Sequence, residues 1–139
     1  MVKYWGADRT AQVMPVQSWL NEGAQLSAGS DCNVAPPDPM LSIWGMVTRG
    51  TLTVGVQGAE SAIDRRTAFR LYTVEGARLL GEQSVRGRLL EGYVADFVCF
   101  DTDILECSDA ELQETQPVMT WVNGECVFSE ARDFTAKVQ

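Results

Sequence analysis

The sequence contains no histidine, and this absence restricts its chemistry more than any other feature of its composition. Without an imidazole, the chain cannot activate a serine or cysteine nucleophile through histidine, and it cannot build a metal site from imidazole nitrogens. Chemistry performed by these 139 residues alone must therefore use carboxylates, thiols or backbone groups.

Basic charge and long apolar runs are also scarce. The only lysines are Lys3 and Lys137, and the formal net charge is −8. This charge opposes binding to nucleic acids and to anionic membrane surfaces, because both need clustered Lys and Arg. No apolar run approaches the roughly 20 residues that span a bilayer, and the first residues lack the apolar stretch of a secretory signal. We therefore expect a cytoplasmic protein with no nucleic-acid and no membrane partner.

The four cysteines show no close pair of the kind that binds metal ions. They are Cys32, Cys99, Cys107 and Cys126. Their spacing is also unlike the framework of a small disulfide-rich domain, and we interpret them as reduced thiols of a cytosolic protein. The even count leaves a disulfide arrangement open.

The chain is long enough for one domain with a core, since 45% of its residues are hydrophobic. It is too short for a complete eight-fold βα barrel, which needs roughly 250 residues. A helix is predicted from Pro15 to Gly23, followed by a short strand over 24–28. The loop 29–37 would then leave the carboxyl end of that strand, where α/β proteins place their sites. This loop carries Asp31.

Two further helices are predicted in the first half. Asp38 can cap a helix with Pro39 at its first position. Another helix begins near Asp64, and a break near Thr73 separates it from a helical stretch over 74–80. The first of these helices carries an apolar stripe that predicts a core-facing side, formed by Met40, Ile43, Trp44 and Val47.

The second half has the pattern of antiparallel strands. Asn123-Gly124 is the strongest local signal, because this pair accepts the positive φ angles of a two-residue type I′ hairpin. Residues 103–115 are expected to form a loop or a short helix, and the tail from Glu130 is expected to fray. The predicted strands are 87–90, 97–100, 118–122 and 126–128. The fold class indicated is α/β, with a βα first half and an antiparallel second half.

Several stretches match one family in the right order along the chain. They are WGADRTAQVMPVQSWLNEGAQLSAGSD, GSDCNVAPPDPMLSIWGMVTR, IDRRTAFRLYTVEGARLLG, GRLLEGYVADFVCFDTDIL and VMTWVNGECVF. Together they resemble the C-terminal segment of metal-dependent amidohydrolases, and especially the YtcJ-like branch, the amidohydrolase 3 group. The first two are similar to the region around the eighth barrel strand, and the last is similar to the family's closing hairpin.

The resemblance implies both a fold and a truncation. Residues 1–82 would be the last βα portion of an amidohydrolase βα barrel, and residues 83–139 would be the C-terminal strands of the small β-sandwich. The family hydrolyses C–N (non-peptide) or related bonds of small-molecule substrates with water activated by a divalent metal, for which zinc is expected. Its histidine ligands lie on earlier strands, so the N-terminal barrel segment is the missing partner. We expect the chain alone to bind no metal and to be inactive.

The resemblance assigns one functional residue, Asp31, as metal ligand and as catalytic proton acceptor. From spacing alone, Asp31 is a loop or capping acid with no chemical role. The neighbouring Cys32 and Ser30 lack a base that would activate them. A paired acid and base formed by Asp31 and Asp38 is disfavoured because Asp38 has a better explanation as a helix cap. Asp96 is interpreted as a structural turn residue that hydrogen-bonds to backbone.

A second hypothesis is not enzymatic. The chain would then be a remnant that acts as a binding or assembly module. Helices and a strand normally covered by a barrel would expose apolar surface in either case, and we therefore predict self-association.

Overall fold

The computed structural model describes residues 2–130 and shows a small α/β protein in which seven short helices accompany one antiparallel sheet. The predicted tail after Glu130 lies outside the described residues. The helices are α1 (Val2–Trp5), α2 (Ala7–Ala11), α3 (Val16–Asn21), α4 (Pro39–Thr48), α5 (Arg65–Tyr72), α6 (Val74–Leu79) and α7 (Asp109–Glu114). The strands are β1 (Phe97–Phe100), β2 (Pro117–Val122) and β3 (Glu125–Ser129), and a 3₁₀ turn covers Ala59–Ser61.

The segment after α3 corrects two predictions. Pro15 lies at the N-cap of α3 and not at its first helical position. Residues 24–28 form no strand, because a strand needs a neighbour and the described residues offer none beside this segment. Burial nevertheless alternates as in a strand, with Leu26 and Ala28 packed against the core. The Ala28 N–H donates to the Leu71 carbonyl oxygen at 3.1 Å, which ties the segment to α5.

Helix α4 begins as predicted. The Asp38 carboxylate accepts from the backbone N–H groups of Met40 and Leu41, at 2.9 and 3.2 Å, and Pro39 occupies the first helical position. The helix ends at Arg49, which adopts the left-handed conformation with φ of 57°. The predicted apolar stripe faces the core: Met40 and Ile43 are buried, and Trp44 and Val47 pack against them.

Helices α5 and α6 are separated at Thr73, as predicted. Asp64 caps α5 by accepting from the Thr67 backbone N–H at 2.9 Å and from its hydroxyl at 2.6 Å. Ile63 and Ala68, the residues before and inside this first turn, are both buried. The break follows from the Thr73 backbone, whose ψ of −83° leaves the helical range.

Helices supply all of the core except Ile63, which lies just before α5. The core consists of Val16, Met40, Ile43, Ile63, Ala68, Leu71 and Leu112. Leu112 lies on α7, which begins at a capping box formed by Ser108 and Glu111 and packs against α4. The sheet joins this core through Phe100, whose ring meets the edge of Phe69 with centroids 6.4 Å apart.

The sheet has the order β1-β2-β3, and both pairs are antiparallel. Asn123 and Gly124 connect β2 to β3 with φ of 53° and 79°, which confirms the type I′ hairpin. The predicted strand over 87–90 is wrong. Its residues have no ladder partner in the described part of the chain, and Leu89 and Leu90 are exposed.

Candidate functional site

Asp31 lies in the loop that follows segment 24–30, in which burial alternates along the chain. Its backbone has a positive φ of 52°, and its carbonyl oxygen accepts from the Val34 N–H at 2.7 Å, which closes a tight turn. Asparagine and aspartate tolerate this left-handed conformation better than other non-glycine residues, which explains the residue type locally. The turn directs an exposed side chain away from the core.

The Asp31 carboxylate makes no hydrogen bond and no ion pair with any residue between 2 and 130. Within that same range, no group of three or more His, Cys, Asp or Glu side chains is arranged to hold a metal ion. A single carboxylate does not supply the six or so oxygen ligands that a hard divalent cation takes. Among the described residues, Asp31 is therefore a single carboxylate that no group of further metal ligands surrounds.

The neighbours of Asp31 have ordinary local roles. The exposed Cys32 thiol donates to the Asn33 side-chain oxygen at 3.3 Å. Asp38 is occupied as the cap of α4, so the structure favours the cap over a catalytic pair with Asp31. All four cysteines are free thiols.

Asp96 has the structural role predicted for it. One carboxylate oxygen accepts from the Asn123 backbone N–H at 2.7 Å, and the other forms an ion pair with Arg86. Arg86 also pairs with Glu82 at 3.1 Å. Asp96 thus fixes the β2–β3 turn against the segment that precedes β1, and it is not part of a site.

A cavity of about 600 Å³ lies elsewhere, between the N-terminal helices and the loop after α4. Its lining includes the cationic residues Lys3 and Arg49, but it does not include Asp31. The Arg49 guanidinium donates to the carbonyl oxygens of Val13 and Met14, and its Nε donates to that of Gln57. Sequence reasoning missed this contact, because an arginine after a helix is expected to interact with the helix end itself.

Hydrogen bonds shift the pKa values of two carboxylates at helix starts and of one arginine in an ion pair. The Thr67 hydroxyl and backbone N–H lower the pKa of Asp64, and the Ser108 hydroxyl and backbone N–H lower that of Glu111. The hydrogen bond to Asp109 raises the pKa of Arg65. Each shift stabilises the charged form of a group that holds secondary structure together, so these groups are structural.

No helix between residues 2 and 130 combines the length and the apolar character needed to cross a membrane.

Comparison with known proteins gives a consistent family. The model of the amidohydrolase family matches residues 1–128. The chain is 30% identical over 113 residues to N-substituted formamide deformylase of Arthrobacter pascens, covering 81% of this chain and 21% of that protein. It is 29% identical over 129 residues to YtcJ of Bacillus subtilis strain 168, which is named as an amidohydrolase, covering 91% of this chain and 24% of YtcJ.

A third relative is 5-methylthioadenosine/S-adenosylhomocysteine deaminase of Thermococcus onnurineus, with 33% identity over 90 residues, 64% of this chain and 20% of that protein. No solved structure matches the chain significantly. The chain thus spans about a quarter of the length of the curated relatives it matches, or less. Since the family match extends over all but the last eleven of the 139 residues, this chain is a YtcJ-like segment and belongs to the amidohydrolase family.

Proposed function

We propose that these residues are the C-terminal part of a metal-dependent amidohydrolase and contribute Asp31 to its active site. The supporting observation is the position of this acid. It follows a segment with strand-like alternating burial inside the region of family similarity, and its exposed carboxylate is used by no structural contact among residues 2–130. Asp38 and Asp96 lie in the same region, but structure-forming hydrogen bonds occupy both of them.

The described residues do not fit a complete metal site, because they provide one candidate oxygen ligand and the sequence provides no imidazole. In this proposal the remaining ligands of a divalent ion, with zinc as the expected metal, come from an N-terminal barrel segment outside these residues. The role left to this chain is to place a carboxylate oxygen where it can bind the ion and accept a proton from the attacking water. The cytoplasmic location stays a prediction.

Segment 24–30 would be the last barrel strand in this arrangement. Between Gln25 and Ser30, the Ala28 N–H makes the one backbone hydrogen bond found in the described structure. Buried polar backbone groups are normally paired, so neighbouring strands would satisfy the rest. The β1-β2-β3 sheet would be the C-terminal share of the small β-sandwich.

The names of the relatives suggest a substrate class to test. We propose hydrolysis of a C–N bond in a small molecule, with an N-substituted formamide as the first compound to test, because that is the substrate named for one relative. As the proton acceptor, Asp31 would raise the rate by about 10²–10⁴-fold, which is typical of positioned acid–base groups.

A chimera tests this proposal. The C-terminal region of the Arthrobacter pascens deformylase is replaced by this chain, and bound metal and deformylase turnover are measured. We expect turnover with the natural chain and a loss of about 10²-fold or more with Asp31→Ala. Asp8→Ala, which removes another exposed acid, serves as the matched control and is expected to retain turnover. Full turnover by the Asp31→Ala chimera would refute the assignment of Asp31.

A second candidate function is a binding or assembly module without catalysis. It is favoured by apolar side chains that face solvent at the end of α6 and in the loop after it, where Leu79, Leu80, Leu89 and Leu90 are each more than half exposed. The two candidates differ in one outcome. A folded chimera that holds metal but has no turnover, with or without Asp31, supports the assembly module.

A further inference from the structure

The turn between β2 and β3 contains the dipeptide most prone to spontaneous deamidation, an asparagine followed by a glycine. Asn123 and Gly124 are both exposed. In this reaction the Gly124 backbone nitrogen attacks Cγ of Asn123 and loses its proton, and the side-chain nitrogen leaves as ammonia. The resulting five-membered succinimide then reacts with water, which opens the ring to aspartate or to isoaspartate.

Two hydrogen bonds restrain the reacting groups. The Gly124 N–H donates to the Ala95 carbonyl oxygen at 3.0 Å, so the attacking nitrogen has its proton directed at a backbone carbonyl and away from water. The Asn123 N–H donates to Oδ1 of Asp96 at 2.7 Å. Both acceptors belong to the segment just before β1, which holds the turn from outside the hairpin.

The turn conformation opposes ring closure as well. Closing the succinimide requires the Gly124 nitrogen to eclipse Cβ of Asn123. A type I′ turn instead holds ψ of its first central residue near about +30°, which places the next nitrogen almost opposite Cβ. The observed φ values of 53° and 79° define this turn. Attack therefore requires rotation out of the turn and loss of the Ala95 contact.

We propose that Asn123-Gly124 is a deamidation site protected by its hydrogen bonds to Ala95 and Asp96. Deamidation then occurs when the hairpin separates from this segment and both hydrogen bonds are lost. Asp96 acts as a positioning residue. Its carboxylate accepts from the Asn123 N–H, and a single substitution of Asp96 removes this hydrogen bond. Isoaspartate adds a methylene to the main chain and cannot rebuild the two-residue turn. A reaction that yields isoaspartate therefore leaves the hairpin permanently unable to re-form this turn.

The test measures isoaspartate at each asparagine by peptide mapping after incubation at mildly alkaline pH. The natural chain is compared when folded and when unfolded in urea. We expect deamidation at Asn123 to be at least about tenfold slower in the folded chain, because the reaction requires local opening. Asn21 and Asn33, which precede Glu22 and Val34, are internal references within the same chain. Equal rates at Asn123 in the two states would refute the proposal.

Three variants distinguish the effect of losing the Asp96–Asn123 hydrogen bond from the effect of a general loss of stability. Asp96→Ala is expected to raise the folded-state rate at Asn123 severalfold, and Asp96→Asn, which keeps an oxygen acceptor, is expected to restore most of the protection. Arg86→Ala removes the ion pair but leaves the acceptor for the Asn123 N–H, so its rate is expected to stay near that of the natural chain. An unchanged rate in folded Asp96→Ala would overturn the role of Asp96.

If Asp96→Ala does not fold, hydrogen exchange of the Gly124 amide in the natural chain provides the second measurement. The deamidation rate in dilute urea is expected to rise in proportion to the open fraction that exchange reports. Deamidation that stays constant while exchange accelerates would contradict the proposal independently of any variant.

Discussion

At the scale of single residues, carboxylates that begin helices are the best-defined charged groups of this protein. Asp38, Asp64 and the Ser108–Glu111 pair each satisfy backbone N–H groups that a helix start leaves free. An aspartate at the N-cap, such as Asp38 or Asp64, typically stabilises a helix by about 0.5–2 kcal/mol. These hydrogen bonds lower the pKa values of Asp64 and Glu111, so the charge of these two carboxylates makes stability depend on pH.

Asp64 gives the first prediction. Its pKa lies below the ordinary value of 3.8 because the Thr67 hydroxyl and backbone N–H donate to the carboxylate. A lowered folded-state pKa means that the stabilisation is complete above the unfolded-state pKa and is lost as the pH falls through the folded-state pKa. In Asp64→Asn the capping oxygen remains but the titration is removed. We expect its free energy of unfolding to fall below that of the natural chain at neutral pH and to converge with it in acid.

Urea unfolding from about pH 6 to about pH 3 measures this difference, a range that brackets the ordinary aspartate pKa. Asp8→Asn is the control, because Asp8 is an exposed acid whose side chain has no hydrogen-bond partner among the described residues. A difference between Asp64→Asn and the natural chain that stays constant over the whole range would contradict the prediction.

Gly58 gives the second prediction. Its φ is +67°, and a Cβ at this position would collide with the Ala11 carbonyl group, which is backbone and cannot move aside. Gly58→Ala is expected to lower the free energy of unfolding by about 1–2 kcal/mol for the left-handed backbone and by about 1–3 kcal/mol more for the collision. Gly55→Ala has a similar φ of +73° but open space, so it isolates the first contribution. Equal losses in the two variants would show that the N-terminal helices yield to the collision.

At the scale of secondary structure, the sequence identified elements whose cause is local. The Asp38-Pro39 start of α4, the Asp64 start of α5 and the Asn123-Gly124 hairpin each depend on neighbouring residues in the chain, and all three are confirmed. The predicted strands over 24–28 and 87–90 failed because a strand also requires a partner, which an apolar run does not reveal. The assignment of residues 1–82 to a barrel and of residues 83–139 to a β-sandwich stays a prediction, because it too depends on strand partners outside the described residues.

In the candidate site too, local features were predictable from the sequence and long-range contacts were not. The sequence located Asp31 in a loop after an apolar segment, and the resemblance supplied its proposed role. The bonds of Arg49 and Arg65 were not predictable, since each joins parts of the chain that are at least eight residues apart in sequence and that only the packed fold brings together.

Arg65 gives a prediction about the attachment of α7. Its guanidinium donates to Asp109 at 2.8 Å, to the Cys107 sulfur at 3.3 Å and to the Ile104 carbonyl at 3.4 Å, so one α5 side chain holds the segment that leads into α7. Asp109 is largely exposed, which limits the ion pair to about 0–1 kcal/mol. The hydrogen bonds to Cys107 and Ile104 are partly buried and add to this contribution. Arg65→Ala is therefore expected to lower the free energy of unfolding by about 1–2 kcal/mol.

Arg66→Ala is the matched control for this variant, since the Arg66 side chain makes no hydrogen bond or ion pair within residues 2–130. Its effect is expected to stay within about 0.5 kcal/mol. Urea denaturation of both variants decides the question. Equal stability of the two variants would mean that α7 is held by Leu112 burial alone.

At the scale of the whole molecule, a small helical core carries a large amount of uncovered apolar side chain. Leu52, Val54 and Val56 line one exposed loop, and further leucines are exposed after α6. Single exposed apolar residues are ordinary, but several adjacent ones mark surfaces that are normally covered. Such a molecule is expected to find partners, including copies of itself.

Self-association is the prediction at this scale. The apparent mass of the natural chain in light scattering is expected to rise with protein concentration, and a hydrophobic dye is expected to bind it. The double variant Leu79→Lys, Leu89→Lys should reduce both signals, because both leucines are nearly three-quarters exposed. Val34→Lys alters one even more exposed residue in a separate loop and should leave both signals unchanged. A concentration-independent monomer mass would contradict the prediction.

Arg49 has a consequence for how the molecule can move. Its guanidinium joins the end of α4 to residues 13 and 14 on one side and to residue 57 on the other. Both walls of the 600 Å³ cavity therefore hydrogen-bond to the same side chain, so a movement of either wall away from Arg49 breaks one or more of these bonds.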